Sequence, residues 1–388
     1  MQQITVNESI DIVQEKDVLV LGGGPAGVGA AMAAAREGLD VAIVEQTNAL
    51  GGIATTGAHG HICLYSAWGD PETRVVGGIC HELAEETTKR GYGVYNGANF
   101  DFEEEAFKLI LDEYAEHYGI ELFYYTQFSD VVVEDGAIKA VIIQSKSGRQ
   151  AIAAETVIDC TGDADVAFRA GVPYEQGRES DNAIQPVSLM FKIGGVDPDR
   201  LEKFKQEEYP EKYGRNDSAK LTALWEEAIR NGDMRPFQSQ IMGWWWTPTR
   251  PDQMGINFSH VNNVDPTEVK DLTYATLEGR RQAFETVDVY RKYVGGLENC
   301  WMNYTAALLG TRESRRISGL YRITEEDLLE QSEFPDSIGY GSFFIDIHNC
   351  TGPGMDEAAR ARLFEPFTPG QTAPGNLGLG LAIAERLP

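Results

Sequence analysis

Blocks of apolar and polar positions succeed one another along the chain, and their period changes. Val18 to Leu21 is a continuous apolar run of strand length that breaks into Gly22, Gly24 and Gly27. An alanine-rich helical stretch follows, then a second apolar run, Val41 to Val44, which ends at Glu45. Strand, glycine turn, helix and strand in this order predict a βαβ unit. Val131 to Val133 and Ile138 to Ile143 predict two more strands, joined at Glu134-Asp135-Gly136, a hairpin turn. Ser147-Gly148 marks another turn before a strand over Gln150 to Ala153. The apolar run Val157 to Cys160 predicts a further strand that ends at Thr161-Gly162-Asp163.

The middle of the chain changes character. Gln185 to Ile193 is a strand candidate closed by Gly194-Gly195, and Leu201 to Asn231 is highly charged and mostly helix-compatible. Met254 to His260 alternates like a strand, and Pro266 to Tyr293 reads as a long helix. Trp244, Trp245 and Trp246 stand between these elements, where they either line a pocket or pack beneath a loop. Phe343 to Ile347 is again strand-like.

The βαβ unit carries chemistry. Gly22 permits the tight turn out of the strand, Gly24 lets backbone approach a pyrophosphate, and Gly27 lets the helix pack closely on the strands. Pro25 and Ala26 open the helix, whose N-terminus offers free N–H groups and a positive dipole end to phosphates. Glu45, 23 residues after Gly22, stands where a carboxylate can accept hydrogen bonds from ribose hydroxyls. The unit therefore predicts a dinucleotide site.

Composition narrows the partners. The 388 residues suffice for two or three domains, and the net charge of −27 argues against nucleic acid and anionic membrane surfaces. No apolar run approaches the roughly 18 residues of a spanning helix. The polar, acidic N-terminus does not read as a signal peptide, so a cytoplasmic protein is expected. The five cysteines are scattered without a CxxC pair, which predicts free thiols and no metal site.

Directly after Glu45 comes Leu50-Gly51-Gly52-Ile53-Ala54-Thr55-Thr56-Gly57. Here the sequence resembles FAD-dependent oxidoreductases of the glutathione-reductase-like class, in the branch with an LGGxAT-type loop. The resemblance continues through the β-meander, which includes Val132, through the CTGD segment, and through RESRRI at Arg312 to Ile317. It implies an α/β fold: a Rossmann-like FAD-binding domain with a β-meander (residues 1–170), an inserted α+β substrate domain (171–330) and a return strand (331–349). It also implies that FAD is held by Gly22, Gly24, Pro25, Ala26, Gly27, Glu45, Gly51, Gly52, Thr55, Thr56, Val132, Thr161, Gly162 and Asp163. The implied function is flavin hydride transfer to or from an unidentified small molecule.

Candidate catalytic groups follow the loop. His59 and His61 come just after it, and a histidine beside a flavin can act as a general acid or base near neutral pH. Arg312, Arg315 and Arg316 suit bidentate contact with a substrate anion, or equally an ion-pair cluster between domains. His348 is a weaker candidate, and Cys63 lacks the partner of a dithiol pair.

From Cys350 to the end the pattern changes. TGPGM, LFEPF (Leu363 to Phe367) and GNLGLGLAI (Gly375 to Ile383) resemble the glycine and phenylalanine boxes of the ATP-binding domain of sensor histidine kinases. The expectation is a flavoprotein truncated before its last strand and carrying a foreign tail at 350–388. The alternatives are an ATP-binding, kinase-related module or an inactive chimera. Oligomeric state is not legible.

Overall fold

The computed structural model describes residues 4–5, 7–67, 70–215, 221–238, 244–330, 332–337, 343 and 346–353. The chain forms two compact units, Met1–Gly52 with Lys108–Tyr174 and Ile53–Phe107 with the chain from Glu175 onward. Residues 53–107 thus group with the second unit, whereas the sequence reading places them in the first.

In the first unit a six-stranded sheet runs in the order Glu121–Phe123, Val41–Val44, Ile12–Leu21, Gly148–Asp159, Ala137–Ser145, Gln127–Glu134. The first four strands are parallel and the last two join antiparallel. Val18 to Leu21 and Val41 to Val44 are buried throughout, as continuous apolar runs require in a parallel sheet covered on both faces. The first strand begins earlier than its apolar run. Its polar half includes Lys16, which ion-pairs with Asp40 at 2.9 Å and Glu121 at 2.8 Å.

The crossover is the helix Pro25–Arg36, with Pro25 in its first turn, where a missing N–H costs nothing. Gly27, Val28, Ala31 and Met32 form its buried face. The predicted hairpin turn is present: Asp135 (φ 52°) and Gly136 (φ 77°) take the left-handed conformations of a two-residue turn. One expectation is corrected. Gln150 to Ala153 and Val157 to Asp159 belong to a single strand, Gly148–Asp159, because no glycine or proline interrupts them, and between them only Glu155 and Thr156 are exposed.

The second unit is built on a four-stranded antiparallel sheet in the order Trp244–Thr247, Arg250–Ile256, Phe191–Gly194, Trp301–Thr305. The tryptophan triplet therefore lies in a strand. Of the predicted strand Gln185 to Ile193 only Phe191–Gly194 forms a ladder, while Val187 and Ser188 make isolated bridges to Val261 and Gly310. The long helix is Val269–Tyr293. Its buried stripe, which includes Ala275, Gly279, Gln282, Ala283, Thr286 and Tyr290, repeats at helical spacing. The main apolar core gathers Trp225, Tyr209, Tyr290, Phe191 and Phe258.

A smaller three-stranded sheet, His61–Ile62, Asn99–Phe102 and Gly93–Asn96, belongs to the same unit. The strand expected over 343–347 falls partly outside the described residues, as does the kinase-like tail from residue 354 onward.

Candidate functional site

In the first unit the three central parallel strands end level, with Leu21 opposite Val44 on one side and Asp159 on the other. Ligands of such sheets bind beyond the carboxyl ends of the strands, and Gly22 to Gly27, Glu45, Gly51, Gly52 and Thr161 to Asp163 follow those ends or pack against them. Each glycine of the turn has its own geometry. Gly22 (φ 98°) lies so close to the strand end that a Cβ on it would stand 2.3 Å from Cys160 O. A Cβ on Gly27 would stand 1.9 Å from Gly22 O, so the first turn of the helix admits only a glycine at this position. Gly24 is the opposite case: a Cβ there would meet nothing within 4 Å. Its backbone faces open space at the mouth of the turn.

The first helical hydrogen bond runs from Val28 N–H to Gly24 O at 2.9 Å, so the amides of Ala26 and Gly27 lie ahead of the helical ladder, at its positive end. Gly51 N–H donates to Gly23 O at 2.8 Å, which brings the start of the LGG loop against the glycine turn. A Cβ on Gly52 would stand 2.9 Å from the Gly24 Cα.

Glu45 is buried, 6% exposed, and its carboxylate already accepts two backbone N–H groups at 2.7 Å, from Gly23 and from Thr47. A carboxylate has about four lone-pair positions, so room for a hydroxyl donor remains. Asp159 organises the third loop: it accepts from the Thr161 hydroxyl at 2.7 Å, the Thr161 amide at 3.1 Å and the Ala167 amide at 2.9 Å. Thr161, Gly162 (φ 86°) and Asp163 follow as a turn. Val132 is set apart from this group. It lies on Gln127–Glu134 at the far edge of the sheet, opposite Ala140, and is 38% exposed.

In the second unit the segment after the LGG loop is held by its backbone. Ala58 N–H donates to Thr55 O at 2.9 Å, His59 N–H to Ile53 O at 3.1 Å, and Ala307 N–H to Thr56 O at 3.1 Å. The Thr56 hydroxyl is buried with no partner among the described residues.

His59 and His61 both rest against Trp245. The His59 ring meets the indole edge-on at 4.9 Å between centroids, and the His61 ring stacks on it at 5.7 Å. Trp245 itself is fixed because Gly255, its cross-strand neighbour, has no Cβ; one would stand 2.1 Å from the indole. The two histidines titrate in opposite directions. Burial, then the charge of His61, pushes His59 down to about 4. Burial alone would lower His61 too, but its hydrogen bond to Asp101, aided by Cys63, prevails and raises it to about 9. Asp101 is 1% exposed and also accepts from Asn96 Nδ2 at 3.1 Å.

Between these histidines the Gly60 amide donates to Glu104 Oε1 at 3.1 Å. The other oxygen of Glu104 accepts from Lys192, which also donates to Thr247 Oγ1 at 3.1 Å. Asp101, Glu104 and Lys192 are absent from the sequence-level prediction. They come from distant segments, and no local motif marks them.

The three arginines of RESRRI separate. Arg312 donates through Nη1 to Pro186 O at 2.7 Å and Ser188 Oγ at 3.0 Å; burial lowers it to about 10 against the opposing charge of Asp346. Its charge acts on His260, whose ring lies 5.7 Å from that of His348. Burial, then the charges of Arg312 and His348, pushes His260 down to about 4. Arg315 starts the short strand Arg315–Ile317 and acts on Asp265. Arg316 donates to Gly177 O at 2.7 Å and pairs with Glu313 at 3.5 Å. All five cysteines are free thiols, and no metal-binding group of side chains occurs among the described residues. No helix there is long and apolar enough to cross a membrane.

The chain is 26% identical over 226 residues to a digeranylgeranylglycerophospholipid reductase of Methanosarcina acetivorans, covering 54% of this chain and 50% of that protein. It thus spans about half the length of the curated relatives it matches. Among solved structures it is similar to a geranylgeranyl bacteriochlorophyll reductase-like protein from Thermoplasma acidophilum (16% identity, 76% of this chain and 66% of that one, TM-score 0.47). It is also similar to a myxobacterial chondrochloren halogenase (15% identity, 80% and 66%, TM-score 0.47). The family model for FAD dependent oxidoreductases matches residues 17–368, nearly the whole chain and past the point where the kinase-like resemblance begins. The protein is a member of the FAD dependent oxidoreductase family, and FAD is its cofactor.

Proposed function

We propose that the protein transfers hydride between FAD and a small organic molecule. The observation that carries this reading is the glycine turn at the level ends of three parallel strands: two glycines close it against backbone, and Gly24 leaves its mouth open. That is the shape a pyrophosphate needs, with the amides of Ala26 and Gly27 ahead of it. Glu45 fits the ribose, and Thr161 to Asp163 border the same opening. Gly51 and Gly52 carry the chain on toward Thr55 and Thr56. When bound, the flavin supplies the two-electron chemistry.

The second unit carries proton-handling groups of its own. At neutral pH His59 is neutral, able to accept or give one hydrogen bond, while His61 keeps its proton through Asp101. A proton passed to His59 would leave readily, and His61 would present a fixed positive charge. Arg312, held by Pro186 and Ser188 with its charge acting on His260, is the arginine assigned to a substrate anion. The curated relatives are named as reductases, which favours reduction of the organic substrate. FAD titration of the apoprotein, followed by flavin fluorescence, tests the cofactor site. Saturable binding lost in Gly24→Ala supports it; identical binding by both proteins rejects it.

A further inference from the structure

Two oppositely charged side chains are buried in the second unit away from any surface: Lys192 and Glu104 are each 3% exposed. Burying such a pair strips solvation from both ions, and their mutual attraction does not reliably return it. The geometry identifies something the pair does besides neutralise itself. Glu104 Oε1 takes the Gly60 amide while Oε2 takes Lys192, and Lys192 is steadied by Thr247, two residues after Trp245. Gly60 has no room to shift toward this carboxylate, since a Cβ on it would stand 2.6 Å from Glu104 Oε1 and 2.4 Å from Phe102 O. Its own carbonyl is held by Phe102 N–H at 2.9 Å. The residues on either side of Gly60 are the two histidines packed on Trp245.

We propose that Glu104, held by Lys192, is a positioning residue. Its grip on the Gly60 amide sets where the His59 and His61 rings stand against Trp245 and keeps His61 opposite Asp101. The proposal rests on reading the two histidines as the chemical groups of the site. It is testable without flavin, so its failure is distinct from failure of that reading.

The test separates grip from charge with two neutral double variants. Glu104→Gln with Lys192→Met removes both charges but keeps an oxygen for the Gly60 amide. Glu104→Ala with Lys192→Met removes the oxygen as well. Histidine titrations are followed by NMR in FAD-free protein. The Gln/Met variant is expected to keep the His61 midpoint near 9. In the Ala/Met variant it should fall by at least about one unit, with His59 moving upward. Equal midpoints in both variants, whether unchanged or equally shifted, would overturn the proposal. If the Ala/Met variant does not fold, the Gly60 amide of the Gln/Met variant decides. Slow hydrogen exchange is expected, and exchange at the rate of an open loop would overturn the grip.

Discussion

His61 and Asp101 stand directly opposite each other in the ladder between His61–Ile62 and Asn99–Phe102, and the imidazole Nδ1 donates to the buried carboxylate. The pairing raises His61 from 6.5 to about 9, against the pull of burial. A folded-state pKa above the unfolded one adds stability that is complete below pH 6.5 and is lost as pH rises through 9. Thermal unfolding of wild type and Asp101→Asn between pH 6 and 10 should show a difference that is largest at the acidic end and narrows toward pH 10. A difference independent of pH would contradict the pairing.

His59 and His260 have the opposite sign. Both are held near 4 by burial and neighbouring positive charge, below their ordinary 6.5. The unfolded chain takes up these protons first, so stability falls as pH drops from 6.5 to 4 and levels off below that. His59→Gln and His260→Gln should each make the acid limb of the Tm profile shallower, read by calorimetry over that range.

The three glycines of the nucleotide turn should separate stability from binding. Gly24→Ala adds a methyl into open space and should change stability by no more than about 0.5 kcal/mol while weakening FAD binding. Gly27→Ala drives a methyl into Gly22 O and should cost about 1–3 kcal/mol or more before any ligand is considered. Denaturant midpoints and FAD titrations on the same preparations check both.

Glu45→Ala should damage the apoprotein as well as the FAD site. The carboxylate holds the amides of Gly23 and Thr47, and leaving such groups unpaired costs about 1–3 kcal/mol. A Glu45→Ala protein of unchanged stability would show that these hydrogen bonds contribute nothing.

Much of the nucleotide half was legible because its causes are local. The run Val41 to Val44 is a strand residue for residue, and the turn between Glu134 and Ala137 follows from Asp-Gly alone. The second unit was less legible. Trp244 to Trp246 read only as pocket-lining or packing residues, because the strand partners that define them, Met254 to Ile256, lie further along the chain. Asp101, Glu104 and Lys192 acquire meaning only when strand pairing and helix start bring them to His61 and Gly60. The arginine run left a substrate anion and an ion-pair cluster equally open, and the sequence could not say which partner each arginine takes; Arg312, Arg315 and Arg316 find different ones.

The most direct test of the account is the visible absorption spectrum of the purified protein, recorded before and after denaturation. A flavin spectrum is expected, with release of about one FAD per chain or uptake of added FAD to that level. A colourless protein that takes up no added FAD would contradict it.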